Sequence, residues 1–294
     1  MKILKFGGTS VGSVESITKL LQIIEREDQN SGNPVIVLSA MSGVTNLLSA
    51  MADKASRGGS FLDELKELEE RHFDVIKELL AVSRQNPVFT QLRILFNEIE
   101  DLLQGVSMLR ELTPRTRDLV LSYGERCSTF MISKIAGQEK DNTLFVNAAE
   151  LIKTDSSFGQ AKVNIEITEQ LIREFYEKNR NKMLFVTGFI ASNDEGRITT
   201  LGRGGSDYTA AIFGSALNAS EIEIWTDVNG MMTADPRMVK KAFSLPELSY
   251  TEAMELSFFG AKVIYPPTMI PAFMKKIPIV IRNTFEPDFA GSVI

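Results

Sequence analysis

The chain has 294 residues, 44% of them hydrophobic and 24% charged, which suits one large α/β domain or two small ones with a sizeable core. Its net charge of −6 argues against a nucleic-acid or anionic-membrane partner, while leaving room for a local basic pocket that takes a small anion. A single cysteine, Cys127, excludes an internal disulfide and points to a reducing, cytoplasmic setting; no run of 18 apolar residues suggests a membrane span, and the opening MKILKFGG lacks the apolar stretch of a secretory signal.

Residues 3–6 read as a short apolar strand interrupted by Lys5, which runs into the turn KFGGTSVGS before a helix starting near Ser13. The two glycines let the backbone approach a ligand, successive N–H groups can form an anion-binding nest, and Lys5 supplies a point charge within reach of a phosphate. The P-loop spacing is absent, and a strand-end lysine that snorkels to solvent is the alternative. A helix is expected over 14–28, a strand over 35–39 and a helix over 45–56; the turn LSAMSGVTNLL between the last two puts Ser39, Ser42 and Thr45 near a helix start. Residues 60–110 read as two consecutive amphipathic helices, 61–81 and 88–110, with no strand between them. Phe61, Leu65, Leu68, Ile76 and Leu79 form one stripe, and Leu92, Leu95, Ile99, Leu102 and Val106 the other. The lone histidine, His72, falls on the first stripe and reads as a packed residue. With one histidine and one cysteine in the chain, a zinc site or a Ser-His-Asp triad has little to be built from. A helix over 115–136 contains Glu125 in LSYGERCSTF, either a helix-edge glutamate or a functional one.

Strands are expected over 144–147 and 184–190, with a helix over 165–179 between them. The stretch TTLGRGGSDYTAAIFGSAL, from Thr199, resembles a dinucleotide fingerprint but carries Asp207 where the third glycine belongs, which disfavours a Rossmann oxidoreductase. Read residue by residue, it offers Ser206 as N-cap of a helix over 207–218, Asp207 against the positive helix end, and Arg203 beside the first-turn amides. That combination is a receptor for a carboxylate or phosphate, or else a plain cap after a surface loop. The strand 221–226 delivers Thr226 and Asp227 into WTDVNGMMTADPR, and polar groups at the carboxyl end of a parallel strand are where open α/β sheets bind ligands; a structural turn is the alternative. Helices over 250–258 and 267–275 and a strand over 277–282 complete the chain. Several strand segments are continuously apolar and alternate with helices, so a parallel sheet covered on both faces is expected, in a three-layer sandwich.

In this order, KFGGTSV, SAMSGVTN, YGER, TGFIA, TTLGRGGSDYTA, WTDVNGMMTADPR and FGAKVIYPPT together resemble the aspartokinase catalytic domain of the amino-acid kinase family, over almost the whole chain. The helical hairpin and LLQGVSMLRELTPRT look most like the kinase part of bifunctional aspartokinase–homoserine dehydrogenases. The resemblance implies a three-layer α/β/α sandwich with a mostly parallel central sheet plus the added hairpin, a single kinase domain over 1–294. Its N-terminal lobe, about 1–200, would hold aspartate and its C-terminal lobe, about 201–294, ATP. The implied reaction is ATP-dependent phosphorylation of the side-chain carboxylate of L-aspartate to β-aspartyl phosphate, the first step towards lysine, threonine and methionine. Carried over by position, Lys5 and Asp207 are catalytic, with Asp207 orienting Lys5 on the transferring phosphate. Ser39, Thr45, Glu125, Phe189, Arg203, Gly204, Gly205 and Ser206 form the aspartate site. Lys5, Phe6, Gly7, Gly8, Thr226, Asp227, Met232, Arg237, Lys262 and Val263 contact the nucleotide. Mg²⁺ is expected to be held mainly through the phosphates, with no protein metal site.

An aspartate side chain is already ionised at neutral pH, so no general base is required. Three features depart from the family pattern: Met232 stands at a usual tyrosine, Tyr265 at a common histidine, and the chain stops just after FAGSVI, where the family continues into small regulatory domains. Either a catalytic fragment or an unregulated form is therefore expected, with no regulatory domains in 1–294 and a homo-oligomer for the full-length protein. The rival readings are a kinase of the same fold acting on glutamate, acetylglutamate, carbamate or a nucleotide, and a catalytically silent amino-acid-binding regulator. Glu125 for an α-ammonium and Arg203 for an α-carboxylate favour a free amino acid, and Lys5 with Asp207 favours turnover.

Overall fold

The computed structural model describes residues 1–138, 141–234, 239, 241–258 and 264–294. β1 (Lys2–Phe6) leads through α1 (Val14–Ser31) to β2 (Val35–Leu38), then to α2 (Val44–Ser56), the hairpin α3 (Leu62–Leu79) and α4 (Val82–Leu109), and α5 (Pro114–Ala136). β3 (Thr143–Val146), β4 (Lys153–Thr154) and α6 (Ile165–Lys178) follow, then β5 (Met183–Thr187), β6 (Ile190–Asn193), β7 (Ile198–Thr200), α7 (Gly205–Leu217) and β8 (Glu221–Thr226). α8 (Tyr250–Phe258), α9 (Ile270–Met274), β9 (Ile279–Asn283) and β10 (Ser292–Val293) end the chain. The main sheet runs β10-β9-β8-β1-β2-β5-β3, parallel throughout except for the antiparallel β10. A second sheet, β4-β6-β7, was not expressed as an apolar run and is absent from the sequence expectation.

Two cores flank the main sheet, and the strand period of two decides which side chain enters which. Leu4, Phe6, Ile36, Leu38, Phe185 and Trp225 pack against α1 to α5. Ile3, Val35, Val37, Leu184, Val186 and Ile224 pack against α6 and α7. β2 and β5 are buried along their whole length, which is why VIVL and MLFVT read as unbroken apolar runs. The three-layer α/β/α sandwich is thus present, with the α3–α4 hairpin added to the first layer. His72 is fully buried there; its Nδ1 donates to the Leu68 carbonyl at 2.8 Å, its ring meets Phe96 edge-on, and burial lowers its pKa to about 4. Among the described residues no helix is long and apolar enough to cross a membrane.

Three local expectations are corrected. The run 184–190 is not one strand: β5 ends at Thr187, Phe189 adopts φ 68°, and β6 begins in the other sheet. α4 starts at Val82 rather than after Pro87, because Gln85 reaches back and donates to the Leu80 carbonyl at 2.8 Å, tying the first turn to the end of α3. Ser206 is not the N-cap of α7. Gly204 is, at φ 70°, a left-handed conformation that strains any residue with a Cβ.

Candidate active site

β1 lies between β2 and β8; the chain leaves β1 toward α1 on one face of the sheet and leaves the neighbouring β8 toward α8 on the other, and a crevice opens between their carboxyl ends. The crevice is a cavity of about 500 Å³, bordered by the carboxyl ends of β1, β2, β5 and β8 and by the starts of α2 and α7. Both helices begin at a left-handed glycine, Gly43 at φ 79° and Gly204 at φ 70°, and neither has a side chain capping its first turn. Two uncapped helix starts aimed at one space favour a bound anion.

Lys5 shares the Ile3 face of β1, and that parity sends its side chain toward α7. Its Nζ lies 2.6 Å from Asp207 Oδ1, both residues being buried, so the solvent-snorkelling alternative does not hold. The turn that follows is pinned to β8: the Gly7 amide donates to the Trp225 carbonyl at 3.0 Å and the Ser10 hydroxyl to the same oxygen at 3.3 Å. Gly8 passes so close to the β2 turn that a Cβ would stand 3.2 Å from the Ala40 carbonyl oxygen. Among the described residues the amides of Gly8 and Thr9 have no protein partner, and both residues line the cavity with Lys5. A buried cation beside two free amides is a phosphate-binding arrangement.

Glu125 closes the opposite side. It sits in the middle of α5, 3% exposed, not at a helix edge. Burial pushes its pKa up to about 8, opposed by the Ala40 amide that donates to it and by Lys5. Among the described residues its Oε2 has no hydrogen-bond partner. A carboxyl group held neutral at pH 7 with one free oxygen facing a cavity can ionise when a cation arrives. Ser39 fixes the floor: its amide donates to the Phe6 carbonyl at 3.2 Å and its carbonyl accepts the Ser128 hydroxyl at 2.8 Å. Phe189 is held in its unusual conformation by Thr209, whose Oγ1 accepts the Phe189 amide at 3.1 Å. Its ring covers Gly205, where a Cβ would come within 2.7 Å of Phe189 Cδ2.

Of the positions singled out in the sequence, Lys5, Gly7, Gly8, Ser39, Thr45, Glu125, Phe189, Gly204, Gly205, Ser206, Asp207, Thr226 and Asp227 line this one cavity. Phe6 does not. Parity turns its side chain into the opposite core, stacked on Trp225 with ring centroids 6.0 Å apart, so only its backbone stands beside the glycine turn. Arg203 also stands outside the lining, exposed, with its guanidinium 5.4 Å from the centroid of the Tyr265 ring. Met232 is half-buried in a bridge to Ser244, away from the cavity. Arg237, Lys262 and Val263 lie outside the described residues. Thr9, Met41 and Asn46 line the cavity without having been singled out; their signal is adjacency to the glycine turns, since Asn46 shares the first turn of α2 with Thr45.

Comparison with known proteins gives a consistent result. A profile of the amino acid kinase family matches residues 1–283. Lysine-sensitive aspartokinase 3 of Escherichia coli is 34% identical over 298 residues, covering 99% of this chain and 63% of that protein. A bifunctional aspartokinase/homoserine dehydrogenase of Buchnera aphidicola is 34% identical, covering 100% of this chain and 36% of that protein. The crystal structure of E. coli aspartokinase III in complex with aspartate and ADP superposes with a TM-score of 0.92 at 31% identity, covering 100% of this chain and 64% of the other. The chain therefore spans between about a third and two thirds of the length of these relatives.

Proposed function

The chain belongs to the amino acid kinase family, and from that premise we propose that it transfers the γ-phosphoryl group of ATP to the side-chain carboxylate of L-aspartate, giving β-aspartyl phosphate and ADP. The observation that carries this reading is the buried Lys5–Asp207 pair at 2.6 Å, beside the free Gly8 and Thr9 amides and across one cavity from the buried Glu125. The likeness to a relative solved with aspartate and ADP supports it.

In the proposed reaction a carboxylate oxygen of aspartate attacks the γ-phosphorus while the bridging oxygen leaves with ADP. The nucleophile is already ionised, so no proton moves, and catalysis consists of positioning and charge compensation. Lys5 and the amides of Gly8 and Thr9 meet the charge on the transferring group, and Asp207 holds Lys5 in place. Glu125 takes the α-ammonium and ionises as it does so. Arg203 takes the α-carboxylate, leaving the Tyr265 ring to reach it. Thr226 and Asp227, at the end of β8, border the nucleotide, so ATP is assigned chiefly to residues 201–294 and aspartate to 1–200, with Lys5 and the 7–9 turn serving both. Among the described residues no group of three His, Cys, Asp or Glu is placed to hold a metal ion, and Asp207 is committed to Lys5. This donor set fits a magnesium ion that arrives on the phosphates, where it would supply charge compensation. The buried, single Cys127 supports a reducing, cytoplasmic setting.

The reading is tested by incubating the protein with ATP, Mg²⁺ and a panel of amino acids in the presence of hydroxylamine. Aspartyl hydroxamate is the expected product. A signal from glutamate alone would move the substrate assignment within the family, and no signal from any amino acid would reduce the protein to a binding role.

A further inference from the structure

Asp118 is a buried carboxylate that the proposed chemistry does not use. It lies on α5 about two helical turns before Glu125, hence on the same side of the helix. Its Oδ2 accepts the amide hydrogens of Gly159 and Thr200, each at 2.9 Å, and its Oδ1 accepts the Thr200 hydroxyl at 2.9 Å. Thr200 is held from its other side too, its carbonyl accepting the Ala161 amide at 3.0 Å. It is the last residue of β7, and the chain runs directly from it through Gly202 and Arg203 to the start of α7. Gly202, at φ 72°, rests on the 159–160 turn: a Cβ there would stand 2.9 Å from Gln160 Cγ and 3.0 Å from the Gly159 carbonyl oxygen. One carboxylate on α5 thus ties down both segments that support the glycine turn. Three donors converge on its two oxygens, so an acceptor is required there; burial raises its pKa and those bonds oppose the rise.

We propose that Asp118 is a positioning residue of the amino-acid site: by tying the glycine turn that carries Arg203 to the helix that carries Glu125, it fixes how far the two grips stand from the Lys5–Asp207 end of the cavity, and thereby the length of side chain that fits. This rests on the aspartate kinase reading above. Glu125 and Arg203 are the proposed grips for the two α-substituents. If those supports shift, the α-carbon is no longer held at one distance from the transferring phosphate, and an amino acid longer by one methylene is no longer disfavoured.

The test compares Asp118→Leu, Asp118→Asn and Thr200→Val with the parent, using calorimetric dissociation constants for aspartate, KM for both substrates and the aspartate-to-glutamate ratio of kcat/KM. Asp118→Leu keeps the number and branching of the side-chain heavy atoms and removes the acceptor. It should weaken aspartate binding about 10- to 100-fold, as expected when buried donors lose their acceptor. KM for ATP should stay at the parent value, and the aspartate-to-glutamate ratio should fall. Asp118→Asn, whose amide oxygen still accepts, should recover most of the loss. Thr200→Val removes one bond of the three and should weaken aspartate binding by about 2- to 10-fold. Amide hydrogen exchange in the ligand-free protein should accelerate at Gly159 and Thr200 in Asp118→Leu and much less in Asp118→Asn. A set of variants in which both substrates weaken together, in step with a lower melting temperature, would make Asp118 a fold residue and overturn the proposal. So would unchanged aspartate affinity in Thr200→Val, which decides the matter if Asp118→Leu does not fold. A parent that binds aspartate without phosphorylating it sinks the kinase reading and leaves the Asp118 comparison intact through the dissociation constants; a parent that binds no amino acid sinks both.

Discussion

The two ends of the cavity handle buried charge in opposite ways. At the phosphate end, Lys5 and Asp207 enter the interior as a pair 2.6 Å apart, so each finds its countercharge already in place. At the amino-acid end, Glu125 is buried with one oxygen unpartnered, and its pKa rises to about 8. A paired charge is ready before the ligand arrives, whereas an unpaired one gives up its charge and regains it only when a cation binds. On the proposed reading the phosphate end is preorganised for the transition state, and the amino-acid end is switched on by its own ligand.

Lys5→Ala should break the preorganised end with the largest effect. It removes an interaction made chiefly in the transition state, so kcat should fall at least about 10²-fold with little change in KM for ATP. Steady-state kinetics showing a near-normal kcat would mean that Lys5 serves only to neutralise Asp207. Glu125→Gln attacks the other end. It should raise KM for aspartate by about 10- to 150-fold, the range for one charged hydrogen bond, and leave KM for ATP unchanged. It should also abolish a pH dependence. In the parent only the ionised fraction of Glu125 pairs with the ammonium, so KM for aspartate should fall about tenfold per unit as pH rises toward 8 and level off above it.

Ligand-free stability sharpens the same contrast. Glu125 has a raised folded pKa, so its favourable contribution is complete below the unfolded value of about 4.3, declines above it and is lost as pH rises through about 8. Glu125→Gln should lack this decline, and its melting temperature should gain on the parent between pH 5 and 8 and level off above that. A constant difference over that range would place the carboxyl's ionisation elsewhere. The smallest effect concerns Arg203, which begins on the Tyr265 ring. An exposed cation–π contact contributes about 0.5–1 kcal/mol, so Tyr265→Leu should lower KM for aspartate about two- to fivefold by releasing the guanidinium. A rise in KM would show instead that the ring presents Arg203 to the substrate.

The sandwich was legible because parallel strands buried on both faces leave continuous apolar runs, and the helices between them keep their stripes. The site was legible where chemistry concentrates in turns: glycines beside Lys5, Arg203 and Asp207 announce a backbone that approaches an anion. What escaped depended on geometry that short patterns do not encode. Phe6 neighbours Lys5 in sequence, yet the two-residue period places them in different cores. Ser206 has the better capping side chain, but the left-handed turn needs Gly204, so the helix starts earlier. The 184–190 run hides a break at Phe189 that only its packing on Gly205 and its bond to Thr209 reveal. Asp118 is visible as an acid in an apolar helix, but its partners lie 41 and 82 residues away.

The contrast between the two ends is tested most directly by titrating the protein with aspartate in a calorimeter at pH 7, in two buffers of different ionisation enthalpy. With the Glu125 pKa raised to about 8 and its side chain ionising as the ammonium binds, aspartate should release most of a proton per site, and Glu125→Gln should release none. ATP should release no proton from this group. Aspartate binding with the same heat in both buffers would contradict the switch, because Glu125 would then be ionised before the ligand arrives or remain neutral beside it.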